Sequence, residues 1–226
     1  TEIYTLSLHD ALPIFGAGNL GVIMARHGTG KRGVLVSLLV DHALEGHKSL
    51  HVAVGESAGD IRAFQDEVFK GLVASLGLGN LAELRTQVER HRQIYCFRDG
   101  AFTVERLREA LRILEEHAGF VPEVIELTGW PDFALQPEAD LEPFKRLAVE
   151  RGCRFWVSVH THATDPVDGR GVPPYLARQE HLIAVLIGLE PEGDQVGLRF
   201  LKTHDRAGEP GVSLVFDLHS QLLRWR

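Results

Sequence analysis

Apolar and polar positions come in blocks along the chain, and the period changes from block to block. Leu20–Ala25 is an apolar run; after a glycine-rich break a helical pattern extends to Leu44, Gly46 stops it, and a second apolar run follows at Ser49–Val54. This reads as strand, loop, helix, strand, with a helical middle long enough for the crossover that parallel strands require. Ile61, Phe64, Val68, Leu72 and Leu76 recur at helical spacing and predict a helix that stops near Gly77 or Gly79. Gln93–Phe97 predicts a short strand, and Thr103 is placed to cap a helix bearing Leu107, Leu111 and Leu114 that ends near Gly119. Val121–Leu127 reads as a buried strand, Leu141, Phe144, Leu147 and Ala148 as a helix stripe ending at Gly152, and Cys153–Val159 as the next strand.

A loop rich in His, Asp, Gly and Pro covers Thr161–Tyr175, and beyond it Leu182–Leu189, Val196–Leu201, Val212–Phe216 and Leu222–Trp225 read as strands. Gly193 and Asp194 supply a turn that makes the first two antiparallel. The fold class expected is α/β: a mixed, mainly parallel sheet flanked by helices, ending in an antiparallel β-meander. One domain is expected over residues 16–226. Residues 1–15 stand apart, because the string Glu2–Ile14 resembles a translated sequencing-adapter remnant. That segment is read as a non-native leader, or else as a native edge strand at Tyr4–Leu8.

Composition narrows the function classes. The chain carries 24 Lys+Arg against 31 Asp+Glu, a net charge of −7, which disfavours bulk binding to a phosphate backbone. Cys96 and Cys153 fit neither a metal pair nor a disulfide framework and read as free thiols in a reducing compartment. With no apolar run long enough for a membrane span and no secretory signal, a cytoplasmic protein is expected.

The chemistry-bearing signal is Ala25-Arg26-His27-Gly28-Thr29-Gly30-Lys31-Arg32, set between a strand and a helix. Glycines in such a loop let successive N–H groups turn toward one anion, the helix N-terminus adds its dipole, and the lysine reaches the outer phosphates. Compared with a Walker A motif, Ala25 replaces the first Gly, while Gly30 and Lys31 match. Arg32 stands where a Ser or Thr hydroxyl would coordinate magnesium. The competing reading of the motif is a structural turn.

With these motifs the chain resembles the RecA-like P-loop ATPases, in particular the branch around the circadian-clock ATPase KaiC, the repair protein RadA and the DnaB-type helicases. The resemblance covers roughly Leu20 to Arg224 and implies a RecA-like P-loop domain with ATP or ADP as its ligand. It places Arg26, His27, Gly28, Thr29, Gly30, Lys31, Arg32 and Thr128 around the nucleotide. In His51-Val52-Ala53-Val54-Gly55-Glu56-Ser57 it makes Glu56 the carboxylate that activates water, against the alternative of a solvated acid at a helix start. In Val124-Ile125-Glu126-Leu127-Thr128-Gly129-Trp130, Thr128 stands where the magnesium-organising aspartate belongs. Glu126 lies on the same strand face and is read as a distant substitute, a partly buried pairing acid, or a group near the strand end.

His160, in Ser158-Val159-His160-Thr161-His162, matches a polar residue that senses the terminal phosphate. Zinc binding by His160, His162 and Asp165 matches no strong ligand spacing. Lys202, in Leu201-Lys202-Thr203-His204-Asp205-Arg206, matches a lysine that ring-forming relatives present to a neighbouring subunit, which implies a homo-oligomer or ring. Arg85, Arg90, His91 and Arg92 read as a solvated helix end or a partner surface, and Trp130, Trp156 and Trp225 as core or rim.

Three readings follow. The first is a nucleotide-binding regulatory or assembly component, acting on an unidentified protein partner, whose hydrolysis is weak or lost. The second is an atypical magnesium-dependent ATPase using Glu56, Glu126 and waters. The third is a non-catalytic interaction scaffold. Magnesium is in doubt in all of them, since Arg32 and Thr128 replace its usual ligands, and no metal-binding residue is assigned.

Overall fold

A computed structural model describes residues 15–204, 206–207, 213–217, 219–220 and 222–225. Strand β1 (Leu20–Ala25) leads through a short loop into helix α1 (Lys31–Leu44), then β2 (Ser49–Val54), α2 (Ala58–Ser75), α3 (Leu81–His91) and β3 (Arg92–Phe97). There follow α4 (Val104–Ala118), β4 (Val124–Thr128), α5 (Glu142–Arg151), β5 (Arg154–His160) and a one-turn helix α6 (Pro174–Ala177). The chain ends with β6 (Ile183–Glu192), β7 (Gln195–Thr203), β8 (Arg206–Ala207), β9 (Ser213–Asp217) and β10 (Leu222–Trp225).

These strands form one sheet in the order β10-β9-β7-β6-β1-β5-β4-β2-β3, with β8 added on β7. From β6 to β3 every pairing is parallel, while β6–β7, β7–β9 and β9–β10 are antiparallel. The expected mixed sheet with a terminal meander is therefore present. Strand alternation divides its core between two faces: Leu20, Val22 and Met24 pack with the α4 and α5 residues Leu107, Leu111, Phe144 and Leu147, whereas Ile23 and Ala25 pack with Val34, Leu35 and Leu38 of α1. Helix α1 is buried on its outer side as well, because Val36, Val40 and Ala43 meet Val68, Phe69 and Leu72 of α2 and Val88 of α3.

Several boundaries differ from the sequence reading, each for a local reason. Strand β4 starts at Val124, three residues later than expected, since Pro122 has no N–H to donate and the Glu123 carboxylate accepts from the Lys48 N–H and the His47 ring. Helix α3 was foreseen only as a helix end, because Val88 is its one buried residue. Arg92 is not solvated: its buried guanidinium bonds to both Asp66 and Glu89 at 2.5 Å.

Phe15, placed with the leader on sequence grounds, is 1 % exposed and lies on the Trp156 ring at 4.8 Å. A Cβ on Gly21 would stand 2.5 Å from that indole, so the packing of Phe15 and Trp156 depends on a bare backbone in β1. The possible edge strand Tyr4–Leu8 and the adapter-like string lie outside the described residues. No helix among the described residues is long and apolar enough to cross a membrane.

Candidate functional site

Parallel strands deliver their carboxyl ends to one edge, and that edge holds a cleft of about 490 Å³. It is lined by Arg26, His27, Gly28, Thr29, Gly30, Lys31 and Arg32 from the β1–α1 loop, Glu56 beyond β2, Thr128–Asp132 beyond β4, and Ser158 and His160 from β5. Register explains the convergence, since Ala25 lies beside His160 and Ala53 beside Thr128. Glu126, His162 and Asp165 do not line this cleft, while the structure brings together every residue that the resemblance placed at the nucleotide or in catalysis except Lys202. That side chain lies on β7, and its ammonium donates to the Glu180 carbonyl at 2.6 Å.

The loop turns because Gly28 and Gly30 both take positive φ, +77° and +81°. Gly30 is the N-cap of α1 and provides no capping side chain, and the first turn contains no acid. Three cations crowd the same point instead. Lys31 donates to the carbonyls of Ala25 and Val159, both at 3.2 Å. Burial lowers its pKa to about 8, partly opposed by the charge of Asp132. Arg26 is exposed at the cleft mouth.

Arg32 is held on three sides. Its guanidinium pairs with Glu56 at 3.0 Å, donates to the Asp60 carbonyl at 3.3 Å and lies over the Phe64 ring at 4.6 Å. Helix α2 supplies the last two contacts, its start fixed by Ser57, whose hydroxyl accepts from the Asp60 N–H. Glu56, read from sequence as a base or a solvated acid, is neither free nor simply solvated: it is the counter-ion of Arg32.

Beneath the cleft lies a polar chain. The Gln65 side-chain amide donates to His51 Nδ1 at 3.2 Å, and His51 Nε2 donates to the Thr128 hydroxyl at 3.0 Å. Burial and the Arg32 charge lower the His51 pKa to about 4, so this imidazole is neutral.

Glu126, the strand partner of His51, departs from all its sequence readings. It is fully buried, neither carboxyl oxygen has a hydrogen-bond partner among the described residues, and burial raises its pKa well above the usual carboxylate range. It does not line the cleft and is not an ionised pairing acid.

Three imidazoles border the site. His160 stands 5.8 Å from His27 and 4.5 Å from His162, ring centre to ring centre. The His160 pKa is lowered by partial burial and then by Lys31 and His162, with Asp132 acting in the opposite sense. Asp132 escaped the sequence reading; its signal was an acid just past the glycine that follows a buried strand. Trp130 packs on Phe102 and Phe144 at 5.4 and 5.0 Å, which places much of its ring in the aromatic core.

Gly129 has φ +78°, and a Cβ there would lie 2.2 Å from the Val54 carbonyl oxygen. We expect Gly129→Ala to destabilise the fold by on the order of 2 kcal/mol, through an unfavourable backbone conformation and a clash with β2. Urea unfolding checks this; an unchanged midpoint would show that the β4–α5 junction can move away from β2.

No protein-family model matches the chain, and no curated protein matches its sequence.

Proposed function

We propose that the protein is a RecA-like P-loop domain that binds ATP or ADP by its phosphates without relying on a metal, hydrolyses them weakly or not at all, and serves as a regulatory or assembly component. One observation carries this reading: α1 begins with neither a capping side chain nor an acid, and Arg26, Lys31 and Arg32 surround it. First-turn N–H groups and a positive dipole end favour negative charge; Glu56 offsets Arg32, and Arg26 and Lys31 add positive charge that an anion would balance. The cleft volume falls in the usual range of small-ligand sites, roughly 300–1,000 Å³.

The residues present do not fit magnesium. Oxygen donors define its sites, yet Arg32 offers none, Glu56 is neutralised by Arg32, and Glu126 is buried outside the cleft. Among the described residues no group of three or more His, Cys, Asp or Glu could hold a metal ion, which also speaks against zinc at His160, His162 and Asp165. With Glu56 engaged by Arg32, Asp132 is the other carboxylate lining the cleft, and its charge acts on Lys31 and His160. The ring suggested by Lys202 gains no support from its bond to Glu180.

Calorimetric titration with ATP and with ADP, each in chelator and in magnesium, tests the reading alongside phosphate release on the same sample. Binding of similar strength in both buffers with no turnover is the expected result. Turnover that requires magnesium would restore the atypical ATPase, and no binding in either buffer would leave the interaction scaffold.

A further inference from the structure

We infer that His27, His160 and His162 form a proton-linked extension of the phosphate site, which receives the far end of a linear polyphosphate chain. This rests on the phosphate-binding reading above and adds to it a ligand class and a dependence on pH. The three rings come from two segments, His27 from the β1–α1 loop and the other two from the end of β5 and just beyond. They stand edge to tilted edge at 5.8 and 4.5 Å, with His160 between the others. His27 and His162 are exposed and His160 is half-buried, so all three can exchange protons with solvent or with a ligand.

The charges around this row decide its behaviour. Lys31 and Arg26 face it from the loop, and Asp132 faces Lys31 and His160 from the β4–α5 loop. Asp165 accepts from the His162 backbone N–H and from the Tyr175 hydroxyl at 2.8 Å each. Glu56 is already paired with Arg32. Positive charges placed together on this row and on Lys31 repel one another. A polyanion lying along the row reverses that, since every phosphate oxygen within reach favours the imidazolium and accepts its N–H. Binding then takes up protons, and affinity rises as pH falls. Lys31 and the loop N–H groups hold the near phosphates in this arrangement, and the imidazoles select for chain length beyond them.

Ring Cε1–H signals of the three histidines, assigned from single His→Asn variants, give their titration midpoints directly. We expect saturating inorganic tripolyphosphate in chelator to move the midpoints up by about one unit, equivalent to roughly tenfold tighter binding of the ligand by each protonated ring. Tripolyphosphate affinity, corrected for the ligand's own protonation, should rise at least about tenfold from pH 8 to pH 6, and the triple His→Asn variant should lose that rise while still binding. ATP measured beside tripolyphosphate separates the two sources of the chain: equal affinity assigns the site to the phosphates alone, and tighter ATP to a nucleotide. Midpoints that stay in place while tripolyphosphate binds, or a pH dependence unchanged in the triple variant, would overturn the inference and leave the phosphate reading standing. Failure of both ligands to bind at any pH would remove both.

Discussion

Glu126→Gln is expected to raise stability at pH 8, by on the order of 2 kcal/mol or more, and to change the shape of the pH–stability profile. In the unfolded chain a glutamate titrates near pH ~4.3, whereas burial in β4 keeps Glu126 protonated well above that. Across the interval the folded state holds a proton that the unfolded state has released. The contribution is fully present below the unfolded pKa and is lost as pH rises through the folded pKa, at about 1.4 kcal/mol per unit. Gln has nearly the same shape and carries no charge in either state, so it removes this slope.

His51, the register partner of Glu126, works in the opposite direction. Its folded pKa of about 4 lies below the unfolded ~6.5, so its stabilisation is present above the unfolded value and lost as pH falls through the folded one. From about pH 4.3 upward the two slopes oppose each other wherever their windows overlap. Urea unfolding from pH 4.5 to 8 should therefore show Glu126→Gln gaining on the parent as pH rises from the unfolded towards the folded Glu126 pKa, and should expose in the variant an acid-side decline due to His51. Parallel profiles for the two proteins would mean that Glu126 is ionised or hydrated in the fold, and the account of the buried β2–β4 pair would fail.

Lys31→Ala is expected to lower affinity for ATP in chelator by on the order of 100-fold, the cost of a charge-assisted bond to phosphate in a partly desolvated site. In the cleft the ammonium already bonds to the Ala25 and Val159 carbonyls, so it is positioned beside the loop without a ligand. Lys31→Arg should not rescue binding, because a planar fork does not fit a position shaped for a compact ammonium between two strand ends. The Lys31 pKa of about 8 adds a pH signature. Below it the ammonium is present and binding is full; above it the proton is lost and affinity declines, unless the bound anion holds the proton in place. Calorimetry at pH 7 and pH 9.5 with parent and variant checks this. Equal affinity of the two proteins would place the nucleotide elsewhere and remove the loop from the proposal.

Much of the architecture was legible in the chain because it depends on short-range pattern. The runs Leu20–Ala25 and Ser49–Val54 are buried on both faces, and parallel strands of that kind read as continuous apolar segments. Thr103 caps α4 through the Arg106 N–H, an interaction completed within four residues. Gly28 and Gly30 announced the turn between β1 and α1 for the same local reason. Helix α3 was largely missed because its stripe of Leu81, Leu84 and Val88 is short and buries Val88 alone completely.

The relations between distant residues were decided by the tertiary structure. The pairing of Arg32 with Glu56 joins the start of α1 to the end of β2, strands β1 and β2 being separated in the sheet by β5 and β4. Arg92 reads as a surface charge until α2 brings Asp66 against it. Glu126 was placed by alternation on the correct strand face, but its complete burial and its lack of a partner among the described residues follow from α1 closing over that face. By itself the sequence determined which segments become strands and helices and where the chain turns sharply between β1 and α1, since both follow from side-chain period and glycine geometry. Which charges neutralise one another, and which acid is buried alone, were set only when the sheet order brought remote strand ends to one edge.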